Sequence, residues 1–353
     1  AGEVMLWDSD EKIVLSQRLF GLRVNDKIYN KYLKYSLQSD LGQKEILKNT
    51  SGSTVFGISA KMFNLINVYY PTKSEQIIIG DLLSNLDAKI EVNHKTNQKL
   101  EAMAKTLYDY WFVQFDFPDA NGKPFKSSGG KMVFNADLKR EIPEGWEVDE
   151  VGDILKTELG GTPSTKVRKF WKGKIPWLNS GEIANFPIID SEERVTEEAI
   201  SNSATSLMPK GSCVLSITRH LRPSILGIDA CANQSVVGIL ESEKLKSSYI
   251  YPYLVNEIPR LMTLRSGAQQ PHINKKTVDT SLIVNPSMEV LMAYYKLANP
   301  IYKQIINNSL QNKQLSELRD WLLPMLMNGQ VTVGEAEEEL GMVAEESAKY
   351  GKE

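Results

Sequence analysis

The sequence has 2 cysteines and 3 histidines in 353 residues, and neither type clusters. Cys213 and Cys231 form no CxxC pair, and His94, His220 and His272 lie far apart. Such spacing supports neither a disulfide framework nor a zinc site. No run approaches the roughly 18 apolar residues of a membrane span, and the start lacks the basic, apolar and small-residue succession of a secretory signal. We therefore expect a cytoplasmic chain with no membrane contact, no metal and no cofactor. A phosphate-binding loop is missing too, because Gly122 and Gly173 precede lysines that are followed by Pro124 and Ile175 instead of Ser or Thr. Excess positive charge is also absent, the net being −3. That figure hides a division: residues 331–353 set seven glutamates against two lysines, which leaves +2 on the remainder. A mildly positive body with an acidic tail is compatible with nucleic acid without demanding it, and the tail reads as a solvated charge run.

What the chain does have is 42% hydrophobic residues, enough for about two cored domains, and an internal repeat. At an offset of 215 residues, Ser51, Gly52, Ile58 and Lys61 recur as Ser266, Gly267, Ile273 and Lys276. Pro71 falls on Pro286, Leu82 on Leu297, Leu86 on Ile301, Ile90 on Ile305, Asn93 on Asn308, Leu100 on Leu315 and Leu107 on Leu322. Upstream the register slips by a few residues, yet Gln17, Gly21, Tyr32 and Leu33 still find Gln234, Gly238, Tyr253 and Leu254. Each copy ends in a heptad segment. In the first it runs Ile79, Leu82, Leu86, Ile90, Asn93, Asn97, Leu100, Ala104, Leu107, Trp111, in steps that place one stripe on one helix face. Pro71 with Thr72 and Ser74, and Pro286 with Ser287, supply matching start signals. At 1.5 Å per residue such a helix is roughly 55 Å long, and the two are expected to pair. Asn93 and Asn308 sit on otherwise apolar seams, where a buried amide can fix register or merely point to solvent at the seam edge.

The expected organisation is α+β, with residues 1–72 a partial first domain, 73–113 a first spacer helix, 114–145 a Gly-, Pro-, Ser- and Lys-rich linker, 146–287 a compact α/β domain, 288–330 a second spacer helix, and 331–353 the acidic tail. Gln234 lies 88 positions after Trp146, whereas Gln17 lies 16 after Ala1. The first domain is therefore expected to be incomplete by about 72 residues, and weakly stable, since a truncated sheet leaves an edge and exposed apolar surface.

The order of short motifs now identifies a family. Gly145 to Glu147 (GWE), Gly160 to Thr165 (GGTPST), Ile175 to Leu178 (IPWL), Pro209 to Ser216 (PKGSCVLS) and the Asn233, Gln234 step resemble a target recognition domain. SGAQQPHINK from Ser266 and the helix ending SELRDWLLPMLMNGQV look like that domain's end and the second helical spacer of type I restriction-modification specificity subunits. The first copy, from SGSTVFGISAKMF to YWFVQFDF, is similar to the equivalent boundary and first spacer, so the resemblance covers nearly the whole chain. It implies a tandem pseudo-repeat of α/β target recognition domains separated by two long antiparallel coiled-coil helices, each domain reading one half of a split site in double-stranded DNA. It also implies partners: methyltransferase subunits, nuclease/translocase subunits and, given the short first copy, a second chain completing the first recognition domain. The subunit itself would be noncatalytic.

Three groups of residues are candidates for DNA contact. Lys166, Arg168, Lys169 and Lys172 surround Phe170 and Trp171, a pattern suited to phosphate contact beside packed aromatics, or to a solvated loop over core rings. Thr218, Arg219, His220 and Arg222 follow an expected strand, and arginine can bond guanine O6 and N7 together. Gln269, Gln270, His272 and Asn274 follow Ser266 and Gly267, and glutamine can pair with adenine. Thr54, Val55, Gly57 and Ser59 stand at the same offset in the first copy, with different chemistry. Two other classes of function are compatible with parts of the sequence. A stand-alone Mg2+-dependent nuclease would need the carboxylates of Asp119 and Asp137 presented together with Lys139, and both fall in the expected linker. A coiled-coil scaffold without DNA binding would leave the domain at 146–287 without a purpose.

Overall fold

The structure is a computed structural model that describes residues 2–7, 9–52, 57–267, 269–330 and 334. The acidic tail apart from Gly334, together with Thr54, Val55 and Ala268, lies outside the described residues. In chain order the helices and strands are α1 (Asn30–Gln38), α2 (Asp40–Lys48), α3 (Ala60–Phe63), α4 (Lys73–Tyr108), β1 (Met132–Asn135), β2 (Arg140–Pro143), β3 (Glu147–Glu150), α5 (Val151–Ile154), β4 (Thr157–Leu159), β5 (Ile175–Leu178), β6 (Glu193–Val195), α6 (Glu197–Ser201), β7 (Cys213–Ser216), β8 (Arg222–Ile225), β9 (Cys231–Ala232), β10 (Val236–Ile239), α7 (Ser247–Thr263), α8 (Lys275–Asp279), β11 (Leu282–Asn285) and α9 (Met288–Met327). The chain forms two compact units: residues 1–95 with 310–353, and residues 96–309. The fold is α+β, and each long helix contributes to both units.

In the first unit, Ile79, Leu82, Leu83 and Leu86 of α4 pack on Leu315, Leu318, Leu322 and Leu326 of α9, with Tyr32 and Tyr35 of α1 closing the core. The order of contacts shows antiparallel packing: Asn93 donates to Gln311 and Asn312 (2.7 and 2.8 Å), Asn312 donates to the Ile90 carbonyl (3.2 Å), and Asp87 meets Arg319. Asp87 is the polar centre of this unit, bonded by Lys34 Nζ and the Tyr35 hydroxyl at 2.6 Å each and by Arg319 Nη1 at 2.9 Å. Burial alone would raise its carboxyl, but those three donors outweigh burial and hold it below its usual 3.8. Burial and the Asp87 contact push the Tyr35 phenol up.

No β-sheet occurs among the described residues of this unit. Leu19, Phe20 and Leu22 are exposed, whereas their repeat partners Val236, Val237 and Ile239 are fully buried in β10. The first copy therefore shows the apolar strand sequence without the neighbours that bury it.

The second unit holds the sheets. A four-stranded antiparallel sheet runs β4-β10-β7-β8, and a three-stranded one runs β6-β5-β9, with β5 and β9 parallel. The alternation expected of a half-exposed sheet is missing in β7 and β10, where every residue is buried, because the sheet is covered on both faces. The GGTPST motif is explained by close packing: a Cβ on Gly160 would fall 2.1 Å from the Asn233 carbonyl oxygen, and one on Gly161 2.5 Å from Ala204 backbone. Both cysteines are buried in strands, and burial pushes the Cys231 thiol up to about 11 and that of Cys213 up as well.

Residues 114–145, read as a linker, carry the β1–β2 hairpin and send Phe115 and Phe117 into the core, where Phe117 stacks on Trp146 at 5.0 Å. The polar composition conceals two aromatics spaced for one face. Helix α7 contains Pro252 and Pro259. Pro252 has no N–H for the Ser248 carbonyl one turn earlier, and the Tyr294 hydroxyl of α9 donates to that carbonyl instead, at 2.9 Å.

In this unit Asn97 donates to the Ile305 carbonyl and to Ser309, and Asn308 donates to Asn97 (2.8 Å). The repeat offset carries Asn93 onto Asn308, Asn97 onto Asn312 and Ile90 onto Ile305, so the amide pair of one unit is the sequence counterpart of the pair in the other. Asn93, Asn308 and Asn312 are buried.

Two outcomes follow for stability. Asn93→Ala strands the Asn312 side-chain oxygen and should cost about 1 to 3 kcal/mol in urea unfolding, whereas leucine at both 93 and 312 leaves only the half-buried Gln311 amide to find another partner and should recover most of that loss. Because the Asp87 carboxyl is lowered in the folded chain, its stabilisation is complete above the ordinary value near 3.8 and is lost as pH falls through the lower folded value. The stability gap between the parent and Asp87→Asn should therefore be full at neutral pH and close below about pH 4, as followed by denaturation across a pH series.

Candidate nucleic-acid interface

Two of the three candidate clusters, nearly fifty residues apart in sequence, come together. Strand β7 continues past Ser216, and its continuation pairs with residues 271–273: Ile273 N–H donates to the Ile217 carbonyl (3.0 Å) and Arg219 N–H to the Pro271 carbonyl (2.8 Å). Thr218 and His272 face each other across this short antiparallel ladder. His272 also closes a hairpin with Ser266 through reciprocal 2.9 Å bonds. Gly267, at φ +99°, makes the turn that a side chain would strain. Leu221 is buried and anchors the first loop, while Arg219, His220 and Arg222 are exposed, as are Gln269, Gln270 and His272. The result is one edge carrying two guanidinium groups, two amides and two imidazoles. His272 Nδ1 lies 3.1 Å from the Gln270 carbonyl. In the neutral ring that contact requires Nδ1 to carry the proton, leaving Nε2 as an acceptor.

The hairpin frame is duplicated. Ser51 and Gly57 exchange backbone bonds of 2.9 and 3.0 Å, as Ser266 and His272 do, and Gly52 matches Gly267 in having positive φ (+129°). Ser59 caps α3 by accepting from Met62 N–H, and Asn274 caps α8 by accepting from Thr277 N–H. The two copies share the scaffold and differ in the side chains mounted on it.

The third cluster stands on the β5 sheet side of the second unit, on the turn Arg168–Trp171. Phe170 and Trp177 are buried, and Trp171 packs edge-on against Trp177 with its indole N–H on the Ser164 carbonyl. Phe170 and Trp177 thus belong to the core and Trp171 packs against it, the arrangement of a loop over core rings. Lys169 is engaged by Glu198, while Lys166, Arg168 and Lys172 are exposed. Of the nuclease candidates, Asp119 accepts from its own turn (Asn121 and Lys123 N–H), and Asp137 sits exposed in the β1–β2 turn. No group of three or more metal-ligating side chains occurs among the described residues. Arg265 was not singled out by sequence. It bonds the carbonyls of Met262 and Arg219, at 3.1 and 2.8 Å, and its only sequence signal is its place just before Ser266 and Gly267.

The family model for the type I restriction modification DNA specificity domain matches residues 1–102 and 143–315, most of the chain. The chain belongs to that family. It is a type I specificity subunit, the noncatalytic component of such systems. It is 28% identical over 88% of its length to the type I restriction enzyme MjaIX specificity subunit of Methanocaldococcus jannaschii, covering 71% of that protein. It is 23% identical over 93% of its length to the HindI specificity subunit of Haemophilus influenzae, covering 80% of it. The fold matches the type I restriction-modification S subunit of M. genitalium with a TM-score of 0.53 at 16% identity, covering 84% of this chain and 72% of that one. No helix among the described residues is long and apolar enough to cross a membrane.

For this specificity subunit the clusters should separate by assay. Arg219→Ala or Arg222→Ala, if either arginine is bidentate to guanine, should cost about 1 to 3 kcal/mol and relax preference at one base position. Lys166→Ala should weaken binding to all duplexes alike and flatten the salt slope by about one unit. Binding to matched and single-base-altered duplexes at two salt concentrations distinguishes the two, and unchanged affinity and preference in both arginine variants would remove the 218–222 loop from the surface.

Proposed function

We propose that this specificity subunit selects a bipartite sequence in double-stranded DNA, with the edge formed by Thr218, Arg219, His220, Arg222, Gln269, Gln270 and His272 reading bases of one half-site. The observation that carries the reading is the convergence of two loops from distant parts of the sequence onto one exposed edge rich in groups that bond base edges. Lys166, Arg168, Lys169 and Lys172 then act as phosphate contacts that position the domain, with Lys169 weakened in that role by Glu198. The repeated Ser–Gly hairpin frame, with different side chains in the first copy, supports a second reading loop of different specificity at residues 51–59. Asn93 and Asn308 serve to set the register of the helix pair, a role supported by their burial and their bonds to the opposite helix.

The chain acts by directing others: methyltransferase subunits dock on it, and nuclease/translocase subunits join for cleavage. The setting is cytoplasmic. Co-purification with the cognate methyltransferase subunit, followed by genome-wide mapping of methylated sites, tests this directly. The expected result is one split motif, dependent on this chain. Methylation without a split motif defeats the bipartite reading, and cleavage of plasmid DNA by the purified chain with Mg2+ alone defeats the noncatalytic one.

A further inference from the structure

Arg219 has a backbone that its residue type disfavours, with φ +55° in the left-handed region where a side chain costs on the order of 1 kcal/mol. Neighbouring segments hold it there from both sides. Its N–H is bonded to the Pro271 carbonyl, and its carbonyl is bonded by Arg265 Nη1. The guanidinium of Arg265 spans two elements, since its Nε also donates to the Met262 carbonyl in the last turn of α7, one of the carbonyls a helix end leaves unbonded.

The internal repeat separates these two bonds into a shared one and an added one. At the offset of 215, Arg265 corresponds to Thr50 and Met262 to Leu47. The Thr50 hydroxyl donates to the Leu47 carbonyl at 2.7 Å. Capping the helix end therefore needs only a short hydroxyl side chain, and the first copy does it that way. The longer, planar side chain in the second copy adds the bond to Arg219. Arginine suits such a bridge because its donors are fixed in a fork, which lysine lacks.

We propose that Arg265 is a positioning residue for base selection: it fixes the Arg219 backbone so that the Arg219 side chain leaves the loop in one direction, and it acts through Arg219 instead of through DNA itself. The inference rests on the base-reading role proposed above for the 218–222 loop. In effect α7 delivers a strut to the reading edge, and the cost of the left-handed conformation at Arg219 is met before DNA arrives.

The test uses the full chain in complex with its co-purified methyltransferase subunit and a pool of DNA duplexes randomised in sequence, read as base frequencies at each bound position. Three variants are compared. Arg265→Thr keeps the helix-end bond seen in the first copy and removes the strut, Arg265→Lys keeps the charge and loses the fork, and Arg219→Ala removes the reader. We expect all three to flatten the preference at the same single position, about tenfold for Arg219→Ala and severalfold or more for the Arg265 variants. We also expect Arg265→Lys to leave the salt slope unchanged and to have no further effect in the Arg219→Ala background. A changed profile for Arg219→Ala beside unchanged profiles for both Arg265 variants overturns the inference alone. So does a uniform loss of affinity with a shallower salt slope for Arg265→Lys and Arg265→Thr, which would make Arg265 a phosphate contact. An unchanged profile for Arg219→Ala overturns the inference together with the base-reading role of the loop. Thermal unfolding of each complex guards against global loss of structure; should Arg265→Thr unfold, the lysine variant and its double-mutant cycle decide.

Discussion

A buried asparagine tolerates only those helix registers in which its amide finds partners, and this chain buries such residues on the helix it has duplicated. An apolar seam of leucine and isoleucine can slide by a heptad and still exclude water; an amide displaced by one turn is left unbonded in an apolar setting, at a cost of one to a few kcal/mol. The duplication makes the same constraint act twice, because the donor of one amide pair, Asn93, is the counterpart of the other pair's donor, Asn308, and the acceptors Asn312 and Asn97 correspond likewise.

The exposed edge formed by residues 218–222 and 269–272 depends on a similar restriction at smaller scale. Neither the loop after β7 nor the hairpin after α7 has enough apolar surface to hold itself. They are fixed by joining the same strand continuation, with Ile217 and Ile273 contributing buried side chains beneath and the polar residues left above. Exposed side chains on a rigid base suit base recognition, since less conformational freedom is lost on binding.

Periodicity and repetition made the helices legible. The heptad stripe and the constant offset pointed to α4 and α9, their pairing and the asparagine positions, because these are local or one-dimensional signals, while the antiparallel direction came only from the family resemblance. The clusters at 218–222 and 269–272 were also visible as residue types, yet their adjacency was not, since strand pairing across fifty residues leaves no periodic trace. Arg265 escaped notice because a lone arginine near a helix end reads as a solvated charge. The hairpin at 132–143 was masked by glycine, serine and lysine around it, although Phe115 and Phe117, two apart, were a signal available in principle. Helix α7 was illegible as one element because Pro252 and Pro259 interrupt any pattern of helix formers.

That last helix bears on how the edge is oriented. Pro252, in the second turn of α7, leaves one backbone bond of that helix unmade, and that gap is the joint at which a helix of this sequence bends most readily. The joint is clamped from outside, by a phenol of α9 that replaces the absent amide proton on Ser248. With the hydroxyls of Tyr249 and Tyr253 also donating to the Val284 and Leu282 carbonyls of β11, the course of α7, and with it the place of the Arg265 guanidinium just past its end, is held by its neighbours: the rigidity of the arm resides in its bearings.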